Sequence, residues 1–399
     1  MSKLFFHHIA PAPEDPIFGL QVAFEKDPRP DKINLSVGVY KNDQLITPVL
    51  ESVKEAEAFL IREEKTKDYL PIGGDPVFLQ QIGALIFGDF FWSGEGKRIC
   101  GAQVPGGTGG LRIGGEFLKQ EVGEKIVISD PTWPNHKGVF ESCKMIVGHY
   151  PYYDRKKNAL AFERMCEVLK DLTPGTVVVM HACCHNPTGA DLSLEQWKEL
   201  LGVFQDKGLL PLFDFAYQGW GKGLEEDAGG VRLFAQAGLE MLVVGSQSKN
   251  FGLYSERIGA LFIVTESQKT AEVVRSKIKT IIRTNYSNPP RHGAAIVGHI
   301  LSTPHLRAKW EKEMGAMRER IAKFRKRFVE ELSFRSLKKD YRYMAEGSGM
   351  FCYTGLDQRQ VERMQKEFAV YLTSDGRMNL AGLSDENLLR VVEDITRLI

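Results

Sequence analysis

Five unbroken apolar runs constrain this chain more than any other feature. They are Lys125-Ile126-Val127-Ile128, Thr176 to Met180, Leu209 to Phe213, Met241 to Val244 and Ile258 to Val264. A strand with one wet face alternates polar and apolar residues. A strand without alternation is buried on both faces. Helical patterns stand between the runs, so they predict a largely parallel sheet with helices on each side, an α/β fold.

The chain has 399 residues, more than one typical core accommodates, which predicts two domains. Residues 1–16 hold proline and acidic residues with few helix signals and read as an extended arm. Helical spacing is expected from Lys54 to Lys65, from Pro76 to Phe90 and along the charge-laced stretch from Leu306 to Leu332. The last eighty or so residues mix strand-like pieces such as Gly349 to Tyr353 with a final helix from about Ser384, which suggests a smaller α+β domain.

Formal net charge is +1, so nothing pulls the whole chain toward nucleic acid or an anionic membrane. The opening residues lack the apolar stretch of a secretory signal, and no run is long enough to span a bilayer. The six cysteines are irregularly spaced and read as reduced thiols, which points to the cytoplasm. His181-Ala182-Cys183-Cys184-His185 fits no usual zinc spacing, so no metal is expected.

In open α/β sheets, ligands bind beyond the carboxyl ends of the strands. Lys249 follows the fourth run, in Gly245-Ser246-Gln247-Ser248-Lys249-Asn250-Phe251-Gly252. An amine held among apolar and small residues is more often neutral and can react with a carbonyl, as in a Schiff base with pyridoxal phosphate. Taken alone, a solvated surface lysine is the commoner reading, and the residues around it are what overturn it. Asp214 ends the third run, where a carboxylate is costly unless it meets a cation. A protonated pyridine nitrogen is such a cation, and a helix N-cap is the other role open to it. Pro105-Gly106-Gly107-Thr108-Gly109-Gly110 opens a helical pattern and suits either a phosphate cradle or a tight turn. It lacks the P-loop ending and the spacing of a dinucleotide fingerprint. Tyr217 and Asn186 can donate to a ring oxygen, and Trp133 can stack on a planar ring. Arg257 is placed to help Ser246 and Ser248 bind a phosphate. Arg283 and Arg377 carry the guanidinium forks that grip carboxylates.

These strings together resemble the class I (fold type I) pyridoxal-phosphate aminotransferases, and within them the aspartate aminotransferase group. The likeness runs from about Pro13 to the C-terminus. It rests on Ile33 to Tyr40, Tyr69 with Gly73-Gly74, Pro105 to Arg112, Asp130 to Lys137, His185 to Gly189, Pro211 to Gly219, Ser246 to Tyr254, Arg283 to Pro290 and Gly376 to Asn379. The resemblance implies a large domain with a mostly parallel seven-stranded sheet over residues 47–316. It implies a smaller α+β domain from 15–46 together with 317–399, and an arm over 1–14.

For the site, the resemblance implies that Lys249 forms the Schiff base with pyridoxal 5'-phosphate and shuttles the proton. Asp214 would pair with the pyridinium nitrogen, Tyr217 and Asn186 would bind the ring oxygen, and Trp133 would stack on the ring. Gly107, Thr108, Ser246, Ser248 and Arg257 would hold the phosphate, and Tyr69 would reach the phosphate bound by the neighbouring subunit. Gly38 and Arg377 would meet the substrate α-carboxylate. Arg283 would cross from the neighbouring subunit to the distal carboxylate, so a homodimer with shared sites is expected. The implied reaction moves the amino group of L-aspartate to 2-oxoglutarate by a ping-pong route, giving oxaloacetate and L-glutamate. An aromatic amino-acid aminotransferase of the same group is the nearest rival, and a pyridoxal-phosphate-binding protein without turnover is a more distant one. Three departures stand out. Gln247 replaces a tyrosine common in the group, and Ser36 replaces a glycine near the mouth of the site. Gly110, Gly114 and Gly115 are extra glycines, expected to loosen the helix at up to about 1 kcal/mol each.

Overall fold

The computed structural model describes residues 5–11, 16–336 and 340–399. Parts of the expected arm, residues 1–4 and 12–14, lie outside the described residues. A helix, Pro16–Lys26, begins where the arm was expected to end.

Among the described residues, seven strands form the central sheet. They are β1 (Ile99–Pro105), β2 (Lys125–Asp130), β3 (Ile146–Pro151), β4 (Val177–His181), β5 (Leu210–Phe215), β6 (Met241–Ser246) and β7 (Ile258–Val264). Their order across the sheet is β1-β7-β6-β5-β4-β2-β3. The neighbours β6, β5, β4, β2 and β3 are parallel, and β7 runs antiparallel to both β1 and β6. Parallel neighbours need a crossover, and helices supply it after each strand from β1 to β5. Antiparallel neighbours need none. The β6–β7 connection is accordingly a helix-free loop, and it carries Lys249.

The unalternated runs have a simple explanation in the packing. Leu212, Leu242, Val244 and Leu261 enter one core cluster, while Phe213, Val243, Ala260 and Phe262 enter the other. Every second side chain points to the opposite face, and both faces are covered. Each such Leu, Val or Phe contributes roughly 1.5–3 kcal/mol by leaving water.

The helix Gly106–Glu121 lies on one face of the sheet. A Cβ at Gly110 would stand 2.6 Å from Val244 Cγ1, and one at Gly115 would stand 2.9 Å from Cys143 Sγ. These glycines therefore do not loosen the helix. Gly110 lets its backbone sit close on the sheet and Gly115 lets it sit close to the helix Asn135–Ser142, which together fix where its N-terminus points. Gly114 differs, because its nearest neighbour would be Leu242 Cδ2 at an ordinary 3.5 Å.

The expected helix from Pro76 to Phe90 is two. Pro76–Phe87 ends at Gly88, whose φ of 85° breaks the run, and Asp89–Glu95 follows. The long helix Pro304–Arg335 packs over the lysine loop: Trp310 stacks on Phe251 at 4.4 Å and donates to the carbonyl of Asn250 at 2.8 Å. Among the described residues three small ladders lie outside the main sheet, one of them the hairpin of Tyr153–Asp154 with Ala159–Leu160, and the other two bear on the site. Ile33–Asn34 pairs with Val370–Tyr371, and Phe351–Tyr353 pairs with Arg377–Asn379. The second sets Arg377 opposite Tyr353 and brings the end of the chain to the cavity at the carboxyl ends of the sheet.

Candidate active site

One cavity brings together Gly38, Gly107, Thr108, Trp133, Asn186, Asp214, Tyr217, Ser246, Ser248, Lys249, Arg257 and Arg377. Tyr69 and Arg283 do not line it. Tyr69 is 90% exposed, and Arg283 is exposed at the end of the helix Gln268–Asn285, where it bonds Ser287 Oγ.

Asp214 sits inside β5, in register with His181 of β4 and Val244 of β6. It is not a helix cap. One carboxylate oxygen lies 3.0 Å from His136 Nε2, and His136 Nδ1 lies 2.8 Å from Thr132 Oγ1. The consistent assignment has the Thr132 hydroxyl donating to Nδ1, which leaves the proton on Nε2 to face Asp214. Burial pushes the Asp214 carboxyl upward. The His136 hydrogen bond, with the positive potential of His136, His181 and Lys249, outweighs it and holds the group below the usual carboxylate value. Asp214 is thus a buried, ionised carboxylate poised to meet a cation.

Lys249 stands across the cavity, with Nζ 4.6 Å from the Tyr217 ring centroid. Burial lowers its ammonium pKa, Asp214 opposes the change and Arg257 adds to it. The net direction is down, so the amine is more readily freed than an exposed lysine's.

The third group is an anion cradle. Gly106 has φ of 73°, and a Cβ there would lie 2.6 Å from Arg257 Nη2. Glycine lets the guanidinium close on the N-terminus of Gly106–Glu121, where backbone N–H groups and the helix dipole favour an anion. Ser246 Oγ donates to Ser248 Oγ at 3.2 Å, so these hydroxyls lie side by side. Two hydroxyls, a guanidinium and a helix N-terminus suit a phosphate dianion.

Arg377 is 2% exposed. Its Nη1 donates to Asn186 Oδ1 at 2.9 Å and its Nη2 to the Ser36 carbonyl at 2.7 Å. The guanidinium lies 4.4 Å from the Phe351 ring centroid, and Nε has no partner. Nearby Asp375 instead faces Arg155 at 3.5 Å. A buried guanidinium held only by neutral groups still wants an anion. Ser36, expected near the mouth, is fully buried behind Arg377. It acts there through its backbone, and its hydroxyl donates to Asn34 Oδ1 at 2.7 Å.

The sequence reading gave no role to His136, His181, Tyr254 or Phe351. His136 was legible in principle, since Thr132 and His136 are four apart beside the carboxyl end of β2. His181 ends β4, where ligand-facing residues collect, but the cysteines that follow it suggest a metal cluster rather than a cavity residue. Nitrogens of His136 and His181 and an Asp214 oxygen do lie within 4.8 Å of one another. Both His136 nitrogens are already engaged, by Thr132 and Asp214.

The sequence profile of the family "Aminotransferase class I and II" matches residues 30–395. The chain is 46% identical over 395 residues to the aspartate aminotransferase of Escherichia coli (strain K12), covering 99% of this chain and all of that protein. It is 44% identical over 393 residues to the aromatic-amino-acid aminotransferase of Pseudomonas aeruginosa, covering 98% of each. The crystal structure of the aromatic-amino-acid aminotransferase from Burkholderia pseudomallei, covalently bound to pyridoxal phosphate, matches with a TM-score of 0.96 at 44% identity over 99% of this chain and all of that one.

Proposed function

The chain belongs to the class I and II aminotransferases, and on that premise we propose that it transfers the amino group of L-aspartate to 2-oxoglutarate with pyridoxal 5'-phosphate as carrier. The observation that supports this most is the shared cavity of Lys249, Asp214 and the guanidinium of Arg377, whose Nε has no partner.

The residues fit the carrier. The cradle of Gly107, Thr108, Ser246, Ser248 and Arg257 suits its phosphate, and ionised Asp214 suits its protonated ring nitrogen. When bound, the carrier supplies an aldehyde that links to amines and a ring that draws electrons from the amino acid. Trp133 lines the cavity and would cover the ring. Asn186 accepts from Arg377, which leaves its N–H groups to donate to the ring oxygen beside Tyr217. Arg377 holds the substrate α-carboxylate, with Gly38 leaving room beside Phe351. Lys249 Nζ takes the proton from Cα and returns it on the far side of the transfer. The two half-reactions then follow in ping-pong order, releasing oxaloacetate and L-glutamate.

A dicarboxylate needs a second cation, and the reading assigns it to the partner subunit's Arg283. Tyr69 would likewise reach the phosphate held in the partner. The exposure of both residues, away from their own cavity, supports a homodimer with shared sites. The same reading divides the chain into an arm at 1–14, a small domain of 15–46 with 317–399, and a large domain of 47–316. The ladder joining Ile33–Asn34 to Val370–Tyr371 supports that division. No helix among the described residues is long and apolar enough to cross a membrane. All six cysteines are free and buried, which supports a reducing compartment such as the cytoplasm.

A specific observation favours a second reading: the aromatic relatives match nearly as well, over nearly the whole chain. Steady-state kinetics decide. A kcat/KM for aspartate above that for phenylalanine, with 2-oxoglutarate as acceptor, upholds the aspartate reading. The reverse order replaces it with the aromatic one. Cofactor absorbance without amino transfer from either would leave a binding protein.

A further inference from the structure

Asp191 does not line the cavity, yet its carboxylate gathers three donors. Its Oδ2 accepts from the backbone N–H of Cys184 at 2.8 Å and from Ser348 Oγ at 2.7 Å. Its Oδ1 accepts from the backbone N–H of His185 at 2.9 Å. The first and third of these bonds hold the loop just before Asn186. Cys184 there has φ of 51°, a left-handed conformation that a residue with a Cβ adopts only when its surroundings compensate. The second bond reaches a different part of the chain. Ser348 also donates its backbone N–H to the Gly189 carbonyl at 2.7 Å, and a Cβ at Gly189 would lie 2.3 Å from the Phe351 carbonyl. Two segments remote in sequence are therefore locked together at residues 184–191 and 348–351.

What they hold is Arg377. The first segment presents Asn186, whose Oδ1 takes a hydrogen bond from Nη1. The second presents the Phe351 ring against the guanidinium face. We propose that Asp191, acting through Ser348, is a positioning residue of this site: it fastens the Asn186 loop to the Phe351 segment and so fixes the direction in which Arg377 offers its free edge. The claim about substrate rests on the aminotransferase reading above.

The chemistry requires a carboxylate. All three partners are donors, so both oxygens must accept. Asparagine keeps the shape but places an N–H₂ opposite either the His185 N–H or the Cys184 N–H and Ser348 hydroxyl. One donor in a shielded place is then left facing another donor.

The test uses the full chain loaded with pyridoxal phosphate, as Asp191→Asn and as Ser348→Ala. With succinate as a non-reacting dicarboxylate probe, Asp191→Asn is expected to raise the dissociation constant about tenfold, and KM for aspartate in parallel, with kcat less affected. Ser348→Ala keeps both backbone bonds to Asp191 and is expected to raise the same constants by a smaller factor. Amide hydrogen exchange in cofactor-free protein is expected to speed up across 348–351 in both variants, and across 184–186 in Asp191→Asn alone. Lowered thermal stability with unchanged succinate binding and unchanged exchange at 348–351 would make Asp191 merely structural and overturn the proposal. If Asp191→Asn does not fold, Ser348→Ala decides by the same two readouts. Wild-type protein that moves no amino group defeats the aminotransferase reading, and the exchange data still judge the link between the two segments.

Discussion

His136 Nε2 faces Asp214 Oδ2 at 3.0 Å, and that hydrogen bond is the largest of the influences that favour the ionised carboxylate. Burial alone would raise its pKa, but the hydrogen bond and the nearby positive charge bring it below the ordinary 3.8. A depressed carboxylate stabilises the fold above its unfolded value, and that stabilisation is lost as pH falls through the lower native value. Wild-type protein should therefore keep Asp214 ionised through the mildly acidic range. His136→Phe removes the hydrogen bond and leaves burial to dominate. The acid limb of activity should move to higher pH, and turnover near neutrality should fall about tenfold, the worth of a hydrogen bond to a charged group. A pH–rate profile checks both. An acid limb that stays in place means that His136 does not set the charge of Asp214.

Lys249 makes the opposite demand on stability. Its native pKa is lowered from 10.5, chiefly by burial. Below 10.5 the unfolded chain holds the lysine proton more tightly than the native one does, so the fold bears a cost there. The cost shrinks as pH rises through the native value toward the unfolded one. Lys249→Met should abolish amino transfer and raise the melting temperature of the cofactor-free protein at neutral pH. Calorimetry of wild type and variant at neutral and alkaline pH checks the sign, since the gap should narrow as the medium becomes alkaline. A variant less stable than wild type at neutral pH would show that Lys249 is not held against its charge.

The large sheet was legible because strands buried on both faces cannot alternate, and Val243 and Val244 enter different cores for that reason. The antiparallel course of β7 was not. Ile258 to Val264 is as apolar as the parallel strands of the sheet, and its direction goes with the helix-free connection before it. Lys249 and Asp214 were legible as polar residues at the ends of apolar runs. The spacing of His136 from Thr132 places it beside the carboxyl end of β2, but its contact with Asp214 depends on register between a helix and β5, 78 residues apart, which the sequence does not display. Ser36 was misplaced at the mouth because its part is played by a backbone carbonyl, which no side-chain reading reveals.

Arg283 tests the substrate and the assembly together. It is exposed and does not line its own cavity, and the shared-site proposal has it act on the substrate of a second subunit. Arg283→Leu should lower kcat/KM for aspartate about 10²–10³-fold, as expected for losing one partner of a desolvated charge pair. Phenylalanine has no distal carboxylate to lose, so its kcat/KM should change little. Mixing Arg283→Leu chains with inactive Lys249→Ala chains should restore some aspartate activity, because one hybrid site then has both residues intact. No recovery on mixing, with both variants folded and exchanging subunits, would place Arg283 outside the partner's site.

Gly110 and Gly114 lie one helical turn apart on Gly106–Glu121 and should respond oppositely to the same substitution. In a helix interior, alanine is favoured over glycine by up to about 1 kcal/mol. At Gly114 the added methyl meets Leu242 and Leu261 at ordinary contact distances, 3.5 Å and beyond. Gly114→Ala should therefore stabilise the protein by up to about 1 kcal/mol. At Gly110 the methyl would stand 2.6 Å from Val244 Cγ1 and 3.2 Å from Val104 Cγ2, both on buried strands. The helix must lift or the strands must give, at about 1–3 kcal/mol, which exceeds the propensity gain. Lifting also moves the N-terminus proposed to hold the phosphate, so Gly110→Ala should weaken pyridoxal-phosphate binding while Gly114→Ala leaves it intact. Urea unfolding of cofactor-free protein and cofactor titration measure the two effects. Equal shifts in both variants would mean that the helix does not depend on close contact at Gly110.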